Sequence, residues 1–243
     1  MSISTRQHRI IELLRTTPNI TVYELARLLS VSEPTIRRDF TELEQRGFIE
    51  KFYGGARLLR GAADSEIPFL IRENEKSRAK VEMGRRAADL VEDGMVIMLD
   101  GSTSAYNIVP YLANHKDLIV VTSGAKTAVA LAELNIRTFC TGGQMITHSF
   151  SYVGEQAENF VRNINADLLF FSCRGMTLDG RMTDVAIEEA NLRRVMFAHS
   201  KKKVLLLDSG KLGKVYFYNM GSAHDVDAII SNVPITLEMP QEI

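Results

Sequence analysis

The chain has 243 residues, of which 45% are hydrophobic and 24% charged, values typical of a globular protein rather than a disordered or fibrous one. Its apolar runs are only as long as strands, which excludes a membrane span, and its polar start lacks the core of a signal peptide, so we expect a cytoplasmic protein. The net charge is −1, but the first 60 residues carry ten Lys and Arg against seven Asp and Glu, an imbalance typical of a nucleic-acid-binding module joined to an acidic domain.

Two helices are predicted in the first 30 residues. Apolar residues recur at helical spacing over residues 5–15, with charges on the other faces. A second helix is expected to begin after Thr21, whose hydroxyl can cap the first free amides. Glu24, three residues later, completes the capping box.

A third helix is predicted between Ser32, a favourable N-cap, and Gly47, a common helix stop. Its apolar residues, Ile36, Phe40 and Leu43, recur on one face and are expected to be buried. The open face is polar and basic, with Thr35, Arg37, Arg38 and Thr41. Two helices joined by a tight turn, the second basic on its open face, predict a helix-turn-helix.

A β-hairpin is predicted over residues 48–57, with a turn at Gly54 and Gly55. On such a wing Lys51, Tyr53 and Arg57 would approach a phosphate or the minor groove of double-stranded DNA. The first 58 residues are therefore interpreted as a winged helix-turn-helix domain.

Arg37 and Arg38 have two interpretations. Taken alone, they fit the solvated face of an ordinary helix. The capped second helix and the following wing favour DNA binding, in which arginine donates two hydrogen bonds to guanine or binds phosphate. The sequence does not assign either role to either arginine. Asp39 fits poorly on a phosphate-facing surface and is expected to have a structural role, pairing with a neighbouring arginine or a backbone amide.

Small polar residues at 61–65 predict a linker, placed at residues 59–75, before a larger domain over residues 76–243. That domain should open with a helix over residues 76–92 whose buried side carries Val81, Gly84, Ala88 and Val91. Short apolar strands then alternate with helices. Strands are predicted at 95–99, 118–122, 138–140, 168–172, 204–207 and 228–230, and helices at 104–114, 125–134, 155–163 and 186–200. This alternation predicts a Rossmann-like α/β domain with a mostly parallel sheet.

Small and polar residues follow four of these strands, at 100–104, 122–124, 141–143 and 208–211. Ligands of parallel sheets bind outside the carboxyl ends of the strands, where amides and hydroxyls can hold a phosphate. Each segment alone fits a simple turn, but four at one edge favour a phosphorylated small molecule. The sequence has no G-x-G-x-x-G or P-loop pattern, so no nucleotide cofactor is expected. Cys140 and Cys173 lack metal-ligand spacing, so we expect no metal site and two buried, reduced thiols.

The spacing of the N-terminal residues also matches a known signature. The matching positions are Arg6, Ile10, Leu14, Ser32, Thr35, Ile36, Arg37, Arg38, Asp39 and Phe40, followed by Gly-Gly-Ala at 54–56. On these residues the chain resembles the DeoR family of bacterial transcriptional regulators. The resemblance implies a repressor of carbohydrate genes, a homodimer or homotetramer, whose second domain resembles ribose-5-phosphate isomerase and senses a phosphorylated sugar or polyol.

The resemblance extends over nearly the whole chain and implies the effector contacts. Matching positions are Lys80, Asp100, Thr103, Gly142, Gly143, Gly154, Gly175, Gly180, Thr183, Glu189, Ala190, Asp208 and Lys211. It implies that Asp100, Ser102 and Thr103 hold the sugar phosphate together with Thr122, Ser123 and Lys211, with Glu189 near the sugar hydroxyls. The chain departs from the family in having D-G-S-T-S at 100–104, T-S-G at 122–124 and an arginine at 193 in place of lysine.

A second hypothesis is an aldose–ketose isomerase that carries a DNA-binding domain. That chemistry requires a positioned general base, for which Glu189, Asp100 and Asp184 are candidates. Arg193 stays charged and cannot shuttle a proton as a lysine could. The regulator is therefore the favoured hypothesis, with no catalytic residue assigned.

Overall fold

The computed structural model describes residues 4–17, 19–45, 48–58, 69–74 and 77–237. By internal contacts the chain divides into two compact units, Met1–Asn74 and Glu75–Ile243. The linker predicted at 59–75 falls largely outside the described residues, although a short helix forms at Phe69–Asn74. The domain limits 1–58 and 76–243 thus stay predictions.

The first unit contains four helices and a small antiparallel sheet among its described residues. They are α1 (Thr5–Thr16), β1 (Ile20–Thr21), α2 (Val22–Leu28), α3 (Glu33–Gln45), β2 (Ile49–Phe52), β3 (Gly55–Leu58) and α4 (Phe69–Asn74), with the strand order β1-β3-β2. The predicted capping box at Thr21 is confirmed, since its hydroxyl accepts from the Glu24 amide and the Glu24 carboxylate accepts from the Thr21 amide.

Ile36, Phe40 and Leu43 are buried in one cluster with residues of α1, α2 and the wing, as the period of the third helix predicts. The predicted turn of the wing is wrong by one residue, because Tyr53 and Gly54 form it and Gly55 already belongs to β3. Gly54 has φ +85°, a conformation that favours glycine. A Cβ on Gly55 would lie 2.6 Å from the Ile20 carbonyl oxygen, so this glycine lets β1 reach the wing.

The second unit is a three-layer α/β domain. Its elements are α5 (Ser77–Ala88), β4 (Val96–Leu99), α6 (Thr103–Tyr106), β5 (Ile119–Thr122), α7 (Ala125–Glu133), β6 (Arg137–Cys140), β7 (Gln144–Ile146), β8 (Ser151–Val153), α8 (Glu155–Val161), β9 (Ala166–Phe171), β10 (Gly175–Met176), β11 (Arg181–Asp184), α9 (Ile187–Ala198), β12 (Ser200–Leu207), β13 (Tyr218–Ser222) and β14 (Ala228–Ser231). Six strands form a parallel sheet in the order β14-β12-β9-β4-β5-β6. They are the six predicted strands.

Alternate residues of these strands enter two separate cores. Ile97 and Leu99 of β4 face a cluster that includes residues of α5, α6 and α7. Met98 between them faces a second cluster with residues of α8 and α9. Because both faces are covered there, the inner strands β4, β5 and β9 show apolar runs rather than alternation, whereas the edge strand β6 is largely exposed.

The helices of this unit partly depart from prediction. The helix predicted at 104–114 is only α6 followed by a separate 3₁₀ turn at Val109–Tyr111, with Pro110 in its first positions. The helix predicted at 76–92 is α5, and Val81, assigned to its buried side, is exposed. Its close contact is made instead by Gly84, where a Cβ would lie 2.2 Å from the Asn107 carbonyl oxygen.

Several short strands were not predicted at all. They form a hairpin, β7 with β8, and a three-stranded antiparallel sheet in the order β10-β11-β13. The thiols also differ from expectation, because Cys173 is buried but Cys140, at the end of the edge strand β6, is exposed. Across the described ranges no helix is both long and apolar enough to cross a membrane.

Candidate functional site

The open face of α3 carries two exposed arginines. The Arg37 side chain is 62% exposed and its Nη2 lies 3.4 Å from Glu33 Oε2 one turn earlier. Arg38 is exposed, and in the described part of the chain it forms no ion pair. Ser32 and Thr35 precede them with their hydroxyl oxygens 2.9 Å apart. We call α3 and the wing, with the predicted contacts on them, the recognition surface.

The wing is fixed to α3 by one lysine. Lys51 Nζ lies 2.7 Å from Glu44 Oε2 and donates to Thr41 Oγ1 at 3.4 Å. Hydrogen bonding from Lys51 lowers the pKa of Glu44 below its usual value, so the carboxylate stays charged. Tyr53 is fully exposed at the tip of the wing, and Arg57 pairs with Glu50 at 2.9 Å. The predicted DNA-contacting side chains therefore share one unit and are all solvent-accessible or half-buried.

Asp39 has the structural role that its poor fit to a phosphate-facing surface predicted. It is buried and accepts from Arg6 through both Nε, at 2.5 Å, and Nη2, at 3.0 Å. Gln7 Nε2 also donates to it at 3.3 Å and to Glu42 Oε2 at 2.6 Å. The Asp39 carboxylate raises the pKa of Arg6. This network joins α1 to α3 and sets the angle at which α3 is presented.

In the second unit, the loop after β4 is organised by Asp100. Its Oδ1 accepts from the Ser102 amide at 3.0 Å, and its Oδ2 accepts from the Ser172 amide at 3.1 Å and from Arg193 Nε at 2.8 Å. Ser102 Oγ in turn accepts from the Ala105 amide at 3.1 Å and caps α6. Because Asp100 is fully buried and both of its oxygens are bonded internally, it fixes the loop on which Thr103 lies.

Arg193 of α9 is the centre of a buried ion cluster. Its guanidinium donates to Asp100, to Asp184 Oδ2 at 2.6 Å and to Glu189 Oε2 at 3.1 Å. Burial alone would lower the pKa of Arg193, but the three carboxylates outweigh it and raise that pKa above its ordinary value. The three acids come from β4, β11 and α9, so one arginine connects three elements. We call these four residues the arginine cluster.

A second cation lies beside the arginine cluster. Lys211 Nζ donates to Ser172 Oγ at 2.6 Å and to Ser104 Oγ at 3.4 Å, and it lies 3.7 Å from Asp208 Oδ2. Lys211 thus connects the ends of β12, β9 and β4, as a ligand-binding lysine at this edge would. Within the described ranges no group of three or more His, Cys, Asp or Glu is placed to hold a metal ion.

Apart from Asp100, the loops after β4 and β5 carry hydroxyl side chains at the same edge of the sheet. Thr122 is buried and its Oγ1 accepts from the Gly124 amide at 3.0 Å. Ser123 and Thr103 are also buried, and a Cβ added to Gly101 would lie 3.6 Å from Ser123 Oγ. The predicted contacts Ser102, Thr103, Thr122 and Ser123 are therefore brought together.

The remaining predicted effector residues have other surroundings. Gly142 and Gly143 follow β6 with φ +66° and +100°, and a Cβ on Gly143 would lie 2.5 Å from the Val153 carbonyl oxygen. These two glycines are explained by the turn into β7. Lys80 is buried on α5, one turn before Gly84 and so on the face that packs against α6.

Comparison with known proteins identifies both units. The profile of the DeoR-like helix-turn-helix domain matches residues 6–61, and that of the DeoR C-terminal sensor domain matches residues 75–233. The chain belongs to the DeoR family. Among its relatives, the HTH-type transcriptional regulator GolR of Listeria innocua is 38% identical over 234 residues, which cover 93% of this chain and 89% of GolR. The glycerol-3-phosphate regulon repressor of Escherichia coli is 27% identical over 242 residues, covering 99% and 95%.

Among solved structures, the delta subunit of eIF2B from Chaetomium thermophilum aligns with a TM-score of 0.51 and 13% identity. The alignment covers 66% of this DeoR-family chain and 58% of that subunit. At this identity the likeness concerns the fold alone, and it agrees with a parallel α/β sheet for the sensor domain.

Sequence reasoning missed four polar residues of this DeoR-family sensor domain. Ser172 bonds to Asp100 and Lys211, and Thr127, Ser149 and Ser151 are buried beside the loops after β4 and β5. Ser172 ends a predicted strand and could have been found by the same rule as Asp100. The two serines from the β7–β8 hairpin could not, because that hairpin itself was not predicted.

Proposed function

We propose that this DeoR-family regulator is a repressor that binds operator DNA through its recognition surface and releases it when a phosphorylated sugar or polyol binds the sensor domain. The observation that carries the proposal is the meeting of polar side chains from β4, β5, β9 and β12 at one edge of the sheet, in a chain that also exposes two arginines on α3. No catalytic role is assigned to the chain.

The charges at the sheet edge favour one orientation of the ligand. The part of the edge around Arg193 and Lys211 holds the carboxylates of Asp100, Asp184, Glu189 and Asp208, which come from the loop after β4, from β11, from α9 and from the loop after β12. An excess of carboxylates repels a phosphate but accepts hydrogen bonds from sugar hydroxyls. Beyond Asp100, the loops after β4 and β5 offer hydroxyls and amides, and we place the phosphate there.

Asp100 acquires a different role in this arrangement from the one implied by family resemblance. Its oxygens already accept three internal hydrogen bonds, and its charge would repel a phosphate. We propose that Asp100 shapes the loop, while Ser102, Thr103, Thr122 and Ser123 contact the phosphate. Glu189 and Lys211 then meet the polyol hydroxyls.

Two copies of the chain are proposed to act together on DNA. Helix-turn-helix proteins read two half-sites through paired recognition helices, about one helical turn apart. A homodimer or homotetramer would supply that symmetry. Light scattering of the protein with and without a DNA duplex measures the number of chains directly, and a strict monomer on DNA would contradict the proposal.

The relatives guide the choice of effector. One relative is named a glycerol-3-phosphate regulon repressor and another, from Staphylococcus epidermidis, a lactose phosphotransferase system repressor. A thermal-shift screen should therefore include glycerol 3-phosphate and hexose phosphates, each beside its unphosphorylated parent. Stabilisation only by phosphorylated members supports the proposal, since ligand binding raises the melting temperature of the native state. If no phosphorylated member stabilises the protein, the effector belongs to another class.

The isomerase hypothesis is tested separately. Glu189, one of its three candidate bases, is paired with Arg193 at 3.1 Å, so a carbonyl compound would have to compete for that carboxylate. Incubation with pentose and hexose phosphates, followed by product analysis, should show no turnover at enzyme-like rates. Turnover of about 1 s⁻¹ or faster would overturn the sensor-only proposal.

A further inference from the structure

Among the described residues of the sensor domain, three buried hydroxyls have no hydrogen-bond partner. They belong to Thr127, Ser149 and Ser151, which are 0%, 1% and 2% exposed. Buried hydroxyls nearly always form a hydrogen bond, because a hydroxyl that is buried without a partner has lost the hydrogen bonds it made to water, and this loss destabilises the folded state. We call these three residues the hydroxyl cluster. Their common location requires an explanation.

The hydroxyl cluster lies against the loops in which the phosphate is proposed to bind. A Cβ added to Gly101 would lie 2.0 Å from Ser151 Oγ, so the serine hydroxyl fills the place where residue 101 would carry a side chain. A Cβ on Gly124 would lie 2.7 Å from Thr127 Oγ1 and 3.3 Å from the Gly101 Cα. The two glycine loops therefore adjoin each other, with a hydroxyl against each.

The serines are held in place by backbone hydrogen bonds. The Ala125 amide donates to the Phe150 carbonyl at 2.8 Å, and the Tyr152 amide donates to the Ser123 carbonyl at 2.7 Å. Gly124 and Ser151 also form an antiparallel bridge. Ser149 and Ser151 are thus fixed relative to the β5 loop before any ligand arrives, and such preorganisation avoids the entropy cost of ordering them on binding.

We propose that the β7–β8 hairpin supplies part of the phosphate site, with Ser151 as a direct hydrogen-bond donor and Ser149 and Thr127 completing the set. This inference rests on the proposed function and extends it to residues outside the strand ends. The three hydroxyls are neutral donors, which suits an anion whose oxygens each accept several bonds. Bound phosphate then satisfies hydroxyls that otherwise have no partner.

The test compares Ser151→Ala with the wild-type full-length protein. Removing a hydroxyl that has no partner should leave the melting temperature of the ligand-free protein unchanged or raised. The dissociation constant for glycerol 3-phosphate, or for the phosphorylated compound that stabilises the wild type, should rise about tenfold to a hundredfold, the range of a charge-assisted hydrogen bond. The preference for that compound over its unphosphorylated parent should shrink by the same factor.

Ser200→Ala is the matched control. Ser200 is also a buried serine, but its Oγ donates to the Met196 carbonyl at 2.8 Å and it lies at the opposite end of its strand from the site. This variant should lower the melting temperature and leave ligand affinity unchanged. Ser149→Ala provides a second removal if Ser151→Ala fails to fold.

The outcomes separate this inference from the proposed function. If the wild type binds a phosphorylated compound and both serine variants bind it equally well, the hydroxyl cluster is not part of the site. Buried water molecules are then the hydrogen-bond partners of these hydroxyls. If the wild type binds no phosphorylated compound, the proposed function and this inference fail together. A loss confined to the two serine variants supports the inference.

Discussion

At the level of single side chains, Arg37 and Arg38 are neighbours on α3 that differ in how they are held. Arg37 is preceded by Glu33 at ion-pair distance, whereas Arg38 is exposed and forms no ion pair among the described residues. An exposed pair of this kind stabilises the helix by only about 0.3–0.5 kcal/mol. Its effect is to orient Arg37 along the helix, while Arg38 keeps its full set of donors for the proposed contact with DNA.

Arg38→Ala should therefore weaken operator binding by about tenfold to a hundredfold, as loss of a bidentate arginine contact does, and Arg37→Ala by a smaller factor. The operator can be selected from random duplexes with the wild-type protein, and affinities measured by gel shift at several salt concentrations. Arg162→Ala, which removes a similar i,i+4 pair from the sensor domain, is the control and should change nothing. Equal binding by Arg38→Ala and the wild type would contradict the assignment.

The two thiols should differ in reactivity. Burial raises the pKa of both thiols, that of Cys173 to about 12, but the Cys140 side chain on the edge strand β6 is accessible to solvent. At pH 8 a disulfide reagent should label one thiol in the native protein and two in the denatured protein. Because the unfolded Cys173 ionises near pH 9 and the folded one near pH 12, this residue should also lower the stability of the fold as pH rises from 9 to 12. Rapid labelling of both native thiols would contradict the burial of Cys173.

At the level of elements, the Asp39 network determines how α3 sits on α1. Asp39→Ala leaves Gln7 buried with one partner fewer and removes the Arg6 ion pair. Because the Arg6 side chain is 40% exposed and water can solvate it once the pair is broken, we expect a loss of about 1–3 kcal/mol from the free energy of unfolding of the N-terminal unit. Urea unfolding followed by circular dichroism measures it. An Arg6→Met and Asp39→Leu double-mutant cycle should give a coupling energy clearly above zero, and additivity would show that the pair is not a unit.

Gly84 determines how closely α5 approaches the chain at the end of α6 within the sensor domain. Gly84→Ala places a methyl group 2.2 Å from the Asn107 carbonyl oxygen, a backbone atom that cannot turn away. Despite the better helix propensity of alanine, we expect about 1–3 kcal/mol of destabilisation from overpacking. Gly94→Ala differs, since its Cβ would meet no atom and its cost comes only from φ +79°. A more stable Gly84→Ala protein would show that α5 can shift outward.

The elements also show what the sequence could and could not predict. The inner strands of the parallel sheet were predicted because both of their faces are buried, which leaves apolar runs such as Val96–Leu99 and Ala166–Phe171. The hairpin at β7 and β8 was missed, because its strands are three residues long and carry glutamine, serine and tyrosine. Ser151 was missed for the same reason, since its role depends on a contact with Gly101, fifty residues away, that no local pattern records. The arginine cluster likewise combines β4, β11 and α9.

At the level of the whole molecule, the proposed regulation requires coupling between the sensor domain and the recognition surface. A thousandfold change in operator affinity corresponds to about 4 kcal/mol of coupling. Coupling is reciprocal, so saturating operator DNA should weaken effector binding by the same factor as the effector weakens DNA binding. Isothermal titration of the effector into the protein alone and into the protein–DNA complex measures the affinity for the effector in each state, and the ratio of the two affinities is the coupling factor. Equal heats and affinities in the two titrations would show that the compound is bound without acting as an inducer.

The fit between Gly101 and Ser151 constrains how this sensor could be retargeted to another metabolite. A library that randomises position 101 alone would place every new side chain on the Ser151 hydroxyl, and most members would be lost to misfolding before any selection for ligand. Varying positions 101 and 151 together, with a small residue at one whenever the other is larger, would keep the volume of the site constant. New specificities at this point of the pocket should therefore arise as paired substitutions, and sequences of differently tuned sensors should show the two positions changing together.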